Sequence, residues 1–206
     1  MALRLFYAPG ACSFAALAAL EEAGAAYEPT KLVLASGEQK KPEFLAINPR
    51  GRVPALVVES GVITENIAVL TYIAERFPAA GLLPKDDAAL LGRAYELMSW
   101  FASGVHVSIA QIWRSERFTR DEDGKKLVQQ GGRENILNAF KELDAAFKGP
   151  WILGDRFSLV DPYAYVFWRW GLRLELDMAG YKSWAAHTER LLKRPAIERA
   201  LAVEAR

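Results

Sequence analysis

The chemistry available to this chain starts from one thiol. Tyr7-Ala-Pro-Gly-Ala-Cys12-Ser13 sets a thiol and a hydroxyl at a strand-to-helix turn. A helix N-terminus presents unpaired N–H groups and the positive end of a dipole, which favour a thiolate over a thiol. The plainer reading is the commoner one: a lone cysteine is usually a small buried hydrophobe. Ala15 stands where the second cysteine of a Cys-x-x-Cys pair would be, so a dithiol redox cycle within the chain is excluded. Further along, Val53-Pro54 precedes an apparent strand, a natural place for a cis bond that turns the backbone groups of Val53 toward a peptide-like ligand. Thr64-Glu65-Asn66 opens a helix. Its free N–H groups and the Asn66 amide would meet an amino-acid carboxylate, and Glu65 the amine. Taken alone, that motif reads equally as an acid and a cap serving only the helix.

Two histidines remain. His106 lies in a stretch without Asp, Glu, Lys or Arg from 97 to 113 and reads first as a hydrogen-bonded core residue. His187, on an amphipathic segment near the end of the chain, reads as surface. Tyr95, Trp113, Trp168 and Trp170 could line an apolar pocket, although aromatic stripes are more often plain core. Ser158-Leu-Val-Asp161 has the form of a capping box, with Phe157 as its staple, and is a structural feature.

The elements that must position these residues alternate at first. Strands are expected over 3–7, 27–34, 55–59 and 62–64. Helices are expected over 13–23, with Ser13 as cap, over 43–46, and over 65–77, giving the order βαβαββα. Ser60-Gly61 joins the last two strands as a hairpin. The expected domains are residues 1–78, a linker over 79–87 at a stretch, 78–87, that holds two prolines and Gly81, and an all-helical part over 88–206. Helices there are expected over 88–114, 122–147, 159–173, 181–193 and 195–203. Gly131-Gly132 falls inside the second of these, unfavourable by roughly 1 kcal/mol per glycine relative to alanine, with no reason visible in the sequence.

Composition narrows the partners. With 206 residues, 26 Lys and Arg against 25 Asp and Glu, the chain lacks the basic surplus of nucleic-acid or anionic-membrane binders. One cysteine forbids an intrachain disulfide, and two histidines give no cluster of zinc-ligand spacing. The uncharged stretch 97–113 is short for a membrane span and carries Ser99, Ser103, His106, Ser108 and Gln111, so it reads as the core of a soluble bundle. Small molecules or a second copy of the chain are the expected partners.

Taken in order, these segments resemble the glutathione transferase family, especially its bacterial beta class, over almost the whole length. The segments are 7–13, 44–56 (Phe-Leu-Ala-Ile-Asn-Pro-Arg-Gly-Arg-Val-Pro-Ala-Leu), 64–70 and 154–161. The resemblance implies a cytosolic homodimer in which a thioredoxin-like domain binds glutathione and a helical domain holds a hydrophobic substrate. It implies that Cys12 forms a mixed disulfide with glutathione and that Ser13 donates to the thiolate. Arg52, Val53 and Pro54 would contact glutathione, with Val53 pairing its backbone with the cysteinyl part. Glu65 and Asn66 would hold the γ-glutamyl group. His106 would line the active site beside Trp113 and Trp170, and Tyr7 matches a tyrosine that is catalytic in other classes. This sequence departs from the pattern at Asn66, Val107, Ser99 and Pro162, which is expected to weaken a helix hydrogen bond. Conjugation, thiol–disulfide exchange and reductive removal of a leaving group all remain open. A non-enzymatic binding protein on the same fold and a monothiol glutaredoxin-type oxidoreductase are the rival readings.

Overall fold

The computed structural model describes residues 3–206. Its first part runs β1 (Leu3–Tyr7), α1 (Phe14–Glu22), β2 (Tyr27–Lys31), α2 (Pro42–Leu45), β3 (Ala55–Val58), β4 (Gly61–Thr64) and α3 (Asn66–Arg76). This is the expected βαβαββα order. The strands form one mixed sheet ordered β2-β1-β3-β4, with β1 parallel to β2 and antiparallel to β3. Alternation along β1 divides the core. Leu5 pairs with Leu56, both fully buried in the main cluster, whereas Phe6 pairs with Ala55 and packs with Leu32 and Phe44 on the other face. β2 stops at Lys31 rather than near residue 34, because the chain there coils into short 3-10 turns, Leu34–Ser36 and Glu38–Lys40, joined at Gly37 (φ 75°).

α1 has buried residues without interruption from Phe14 to Leu20. A helix buried all round needs cover on every side. It packs on α3 and β1 and also on two helices of the second part, α7 (Val160–Arg173) and α9 (Pro195–Glu204). Its alanines let those neighbours approach closely. Around it, Tyr7 donates its hydroxyl to the Val203 carbonyl at 2.9 Å, and Arg194 clasps Glu22 with two bonds of 2.6 and 2.8 Å.

The second part adds α4 (Ala88–Trp100), α5 (His106–Trp113), α6 (Glu122–Ala146) and α8 (Lys182–Leu192). The single helix expected over 88–114 is instead divided by a π-helical turn, Phe101–Val105. Such a turn inserts an extra residue and re-aims the face that follows, a feature frequent at functional sites. His106 is the first residue beyond it. The uncharged stretch is core as expected, with Leu97, Met98, Phe101, Val105 and Ile109 all buried, and among the described residues no helix is long and apolar enough to cross a membrane. Gly132 now has a physical reason. A Cβ there would lie 2.8 Å from Gln111 Cβ and 2.9 Å from the Ser108 carbonyl oxygen, so the glycine lets α6 close onto α5. Gly131 faces open space.

The start of α7 corrects two expectations. The cap position is Leu159, and the Ser158 hydroxyl accepts from Val160 N–H at 3.3 Å rather than from the third helical residue. Asp161 completes the other half of the box, accepting from Ser158 N–H at 2.8 Å. Pro162 is therefore the third helical residue, whose N–H would have had no acceptor within the helix, and the expected weakening does not arise. Asp161 also accepts from Ile152 N–H and meets His187 Nε2, both at 2.9 Å. His187 is thus not a surface residue. It is 1% exposed and packs against Phe147 and Trp151.

Candidate functional site

The turn between β1 and α1 carries Cys12 with part of its surface open. Its thiol donates to the Val53 carbonyl at 3.6 Å, and the Val53–Pro54 bond is cis, as the sequence suggested. Burial pushes the thiol up to about 12, with Glu65 adding to the rise and Arg52 and the local backbone hydrogen bonds opposing it. Desolvation therefore outweighs the helix end, contrary to the expectation of a thiolate at this position. Ser13 departs further. It is fully buried, makes no cap bond, accepts from Ala8 N–H at 3.1 Å and donates back to the Ala8 carbonyl at 3.3 Å. Its hydroxyl braces the turn and is not free to serve a thiolate. Tyr7, similarly, gives its hydroxyl to α9, away from the thiol's partners.

Opposite the turn, α3 begins. Glu65 sits at its cap position, exposed, with φ 70°. A non-glycine residue there costs on the order of 1–3 kcal/mol, a strain that clusters at binding sites. Asn66 is 7% exposed and donates to the Cys12 carbonyl at 3.0 Å, while its Oδ1 is buried without a partner. This amide ties the two helix starts together, so one of the donors expected to reach a ligand is used internally.

The aromatic wall comes from the helical part. His106 stands edge-on to Trp170 with centroids 4.9 Å apart, and Trp113 meets Trp170 at 5.6 Å. His106, Trp113 and Trp170 are thereby brought together, whereas Trp168 packs on Trp184 and the Tyr95 hydroxyl accepts from Thr71 at 3.3 Å. Trp170 also donates its indole N–H to the Gly10 carbonyl at 2.8 Å, locking the wall to the cysteine turn. Burial, then the charges of Arg52 and Arg117, bring His106 down to about 4, so its ring is neutral near pH 7. That influence places Arg52, from the sheet domain, within electrostatic reach of the helical wall.

Sequence reasoning missed Glu204. Its carboxylate accepts from Gly10 N–H at 3.0 Å and pairs with Arg169, whose guanidinium lies 4.3 Å from the Phe14 ring centroid. Nothing local marks it, since its partners Gly10 and Arg169 lie 194 and 35 residues away. His187 did carry a signal: Trp184, His187 and Leu191, at helical spacing, share the buried face of α8.

Comparison with known proteins follows the same division. Residues 1–75 match the family model for the glutathione S-transferase N-terminal domain, and residues 108–195 match that for its C-terminal domain. Glutathione S-transferase GstA of Escherichia coli O157:H7 is 29% identical over 205 residues, 98% of each chain. A glutathione transferase homologue from Sulfitobacter, solved with bound glutathione, superposes with a TM-score of 0.93 at 32% identity, covering 98% of this chain and 97% of that one. The bacterial beta class glutathione S-transferase of Sphingomonas chungbukensis gives 0.84 at 33% identity, with 98% of both chains covered. A shared sheet domain, a shared helical domain and full-length identity of this order make one conclusion: the chain belongs to the glutathione S-transferase family.

Proposed function

We propose that this protein binds glutathione between the Cys12 turn and the start of α3 and conjugates it through its sulfur to small electrophiles with a hydrophobic body. The observation that carries the reading is a single convergence. Asn66 is bonded to Cys12, Cys12 to Val53, and the cysteine turn to Trp170 of the aromatic wall. These bonds link the start of α3, the cysteine turn and the residue before Pro54 to the aromatic wall. Glutathione's γ-glutamyl carboxylate would meet the N–H groups that open α3, and its amine the Glu65 carboxylate. Its cysteinyl part would lie along Val53, with Arg52 beside the remaining carboxylate.

In the reaction the thiol proton leaves to solvent, sulfur bonds to the electrophilic carbon, and the leaving group departs with its electron pair. Cys12 contributes as a donor once its S–H turns from the Val53 carbonyl, which the cysteinyl N–H of glutathione takes over. A thiol that stays protonated can hydrogen-bond to an incoming thiolate and so favour its ionised form. That role favours conjugation over exchange at Cys12, which needs the protein thiolate itself. The neutral His106 ring and Trp170 exclude water from the reacting sulfur. A homodimer of the beta-class kind, working in the cytoplasm in detoxification, is the setting this reading implies.

Calorimetry with glutathione tests it. Binding is expected to weaken by more than about 1 kcal/mol in Glu65→Ala, the scale of a charge-assisted hydrogen bond. An unchanged affinity in the folded variant removes the site assignment.

A further inference from the structure

The helical wall of the cleft carries more positive charge than glutathione alone would use. Arg173, the last residue of α7, lies over Trp113 with its guanidinium carbon 4.8 Å from the ring centroid. Arg114 follows Trp113 as the cap of α5, and Arg117 closes the 3-10 turn Ser115–Arg117 behind it. Six other arginines of the chain are ion-paired, at positions 4, 93, 156, 169, 194 and 199. Among the described residues the other ten are not, and Arg52, Arg114, Arg117 and Arg173 are the four of these that the aromatic wall or its electrostatics involve.

Three of these charges also feel one another. Burial, then Arg52 and Arg114, hold Arg117 below its ordinary value, with Glu116 the one acid opposing them. Like charges gathered beside an aromatic wall destabilise the empty cleft, and an anion between them would relieve the repulsion. Glutathione's carboxylates account for Arg52. They leave the arginines at the ends of α5 and α7 without an ion-pair partner, on the side where the second substrate would sit.

We infer that the cleft prefers electrophiles in which an aromatic body carries an anionic group, a carboxylate or sulfonate. The ring would pack on Trp113 and Trp170, and the anion would be drawn to Arg173, held over Trp113, and to Arg117 at the end of α5. The inference rests on the transferase reading and deepens it by naming the substrate class.

Two matched aryl chlorides test it, 4-chloro-3-nitrobenzoate and the neutral 4-chloro-3-nitrobenzamide. In each, sulfur bonds to the ring carbon, chloride leaves with the C–Cl pair and the thiol proton goes to solvent. Each kcat/KM is divided by the uncatalysed rate with glutathione, which cancels the difference in intrinsic reactivity. The benzoate is expected to show an acceleration at least about tenfold greater, falling as salt is added. Arg117→Gln and Arg173→Gln should each lower the benzoate value several-fold more than the benzamide value. Equal acceleration of both substrates, or equal losses in the variants, overturns the inference. Calorimetry with the two S-aryl glutathione products separates it from the transferase reading. If neither chloride is turned over but the carboxylate product binds several-fold tighter, selectivity stands and catalysis falls; if the products bind alike, selectivity falls.

Discussion

Cys12 should be unusually slow to alkylate, although it lies at a helix start and keeps part of its surface open. The perturbation is iodoacetamide applied to the unliganded protein at pH 7.5. An ordinary thiol with a pKa of about 8.5 is roughly one-tenth ionised there. With the thiol pushed up to about 12, the ionised fraction at that pH is about three in 100,000. The thiolate is the reacting species, so the rate constant should fall by about three orders of magnitude. Mass spectrometry reads the result without ambiguity, since Cys12 is the chain's sole cysteine and forms a single adduct. Glutathione, alkylated in parallel, supplies the reference. A Cys12 rate equal to or above that of glutathione would refute the argument that desolvation outweighs the helix end. The same reasoning predicts that Cys12→Ala keeps measurable conjugation, losing about the worth of one hydrogen bond to a charged partner, roughly 1.5–3 kcal/mol. Complete loss of conjugation in that variant would make the cysteine a nucleophile rather than a donor.

His106 supplies a pH-dependent prediction. Its value in the folded chain, about 4, lies below the ordinary 6.5, so folding favours the neutral ring. Its contribution is fully present above pH 6.5 and is lost as the pH falls through 6.5 toward 4, by at most about 3 kcal/mol. Urea unfolding of the wild type and His106→Gln across that window should give profiles that converge in acid, and parallel profiles would sink the assignment. The adjacent glycines of α6 should respond with opposite signs. Gly131→Ala, in open space, should stabilise by about 0.5–1 kcal/mol through helix propensity. Gly132→Ala must push against the Ser108 carbonyl oxygen and should destabilise, because overpacking of about 1–3 kcal/mol exceeds that gain. Thermal unfolding in which both variants shift the same way would contradict the packing argument.

Local chemistry made much of the molecule legible. Alternation and turn residues gave the four strands and the βαβαββα order, because period and punctuation act within a few residues. Motifs with a backbone mechanism were equally readable: the cis bond before Pro54, the helix start at Asn66 and the Asp161 half of the capping box. Properties set by distant neighbours were not. Whether Ser13 serves a ligand or its own turn depends on the position of Ala8, and whether Cys12 ionises depends on how deeply the cleft desolvates it. His187 was misplaced because its partner, Asp161, lies 26 residues away. Glu204 was invisible because its partner, Gly10, lies 194 residues away. The π turn that re-aims His106 and the close α5–α6 approach that demands Gly132 likewise arise only when helices pack. Sequence thus determined the elements and the residue types at the cleft. Tertiary structure decided their ionisation and their free hydrogen bonds, since burial and long-range partners outweigh local preference.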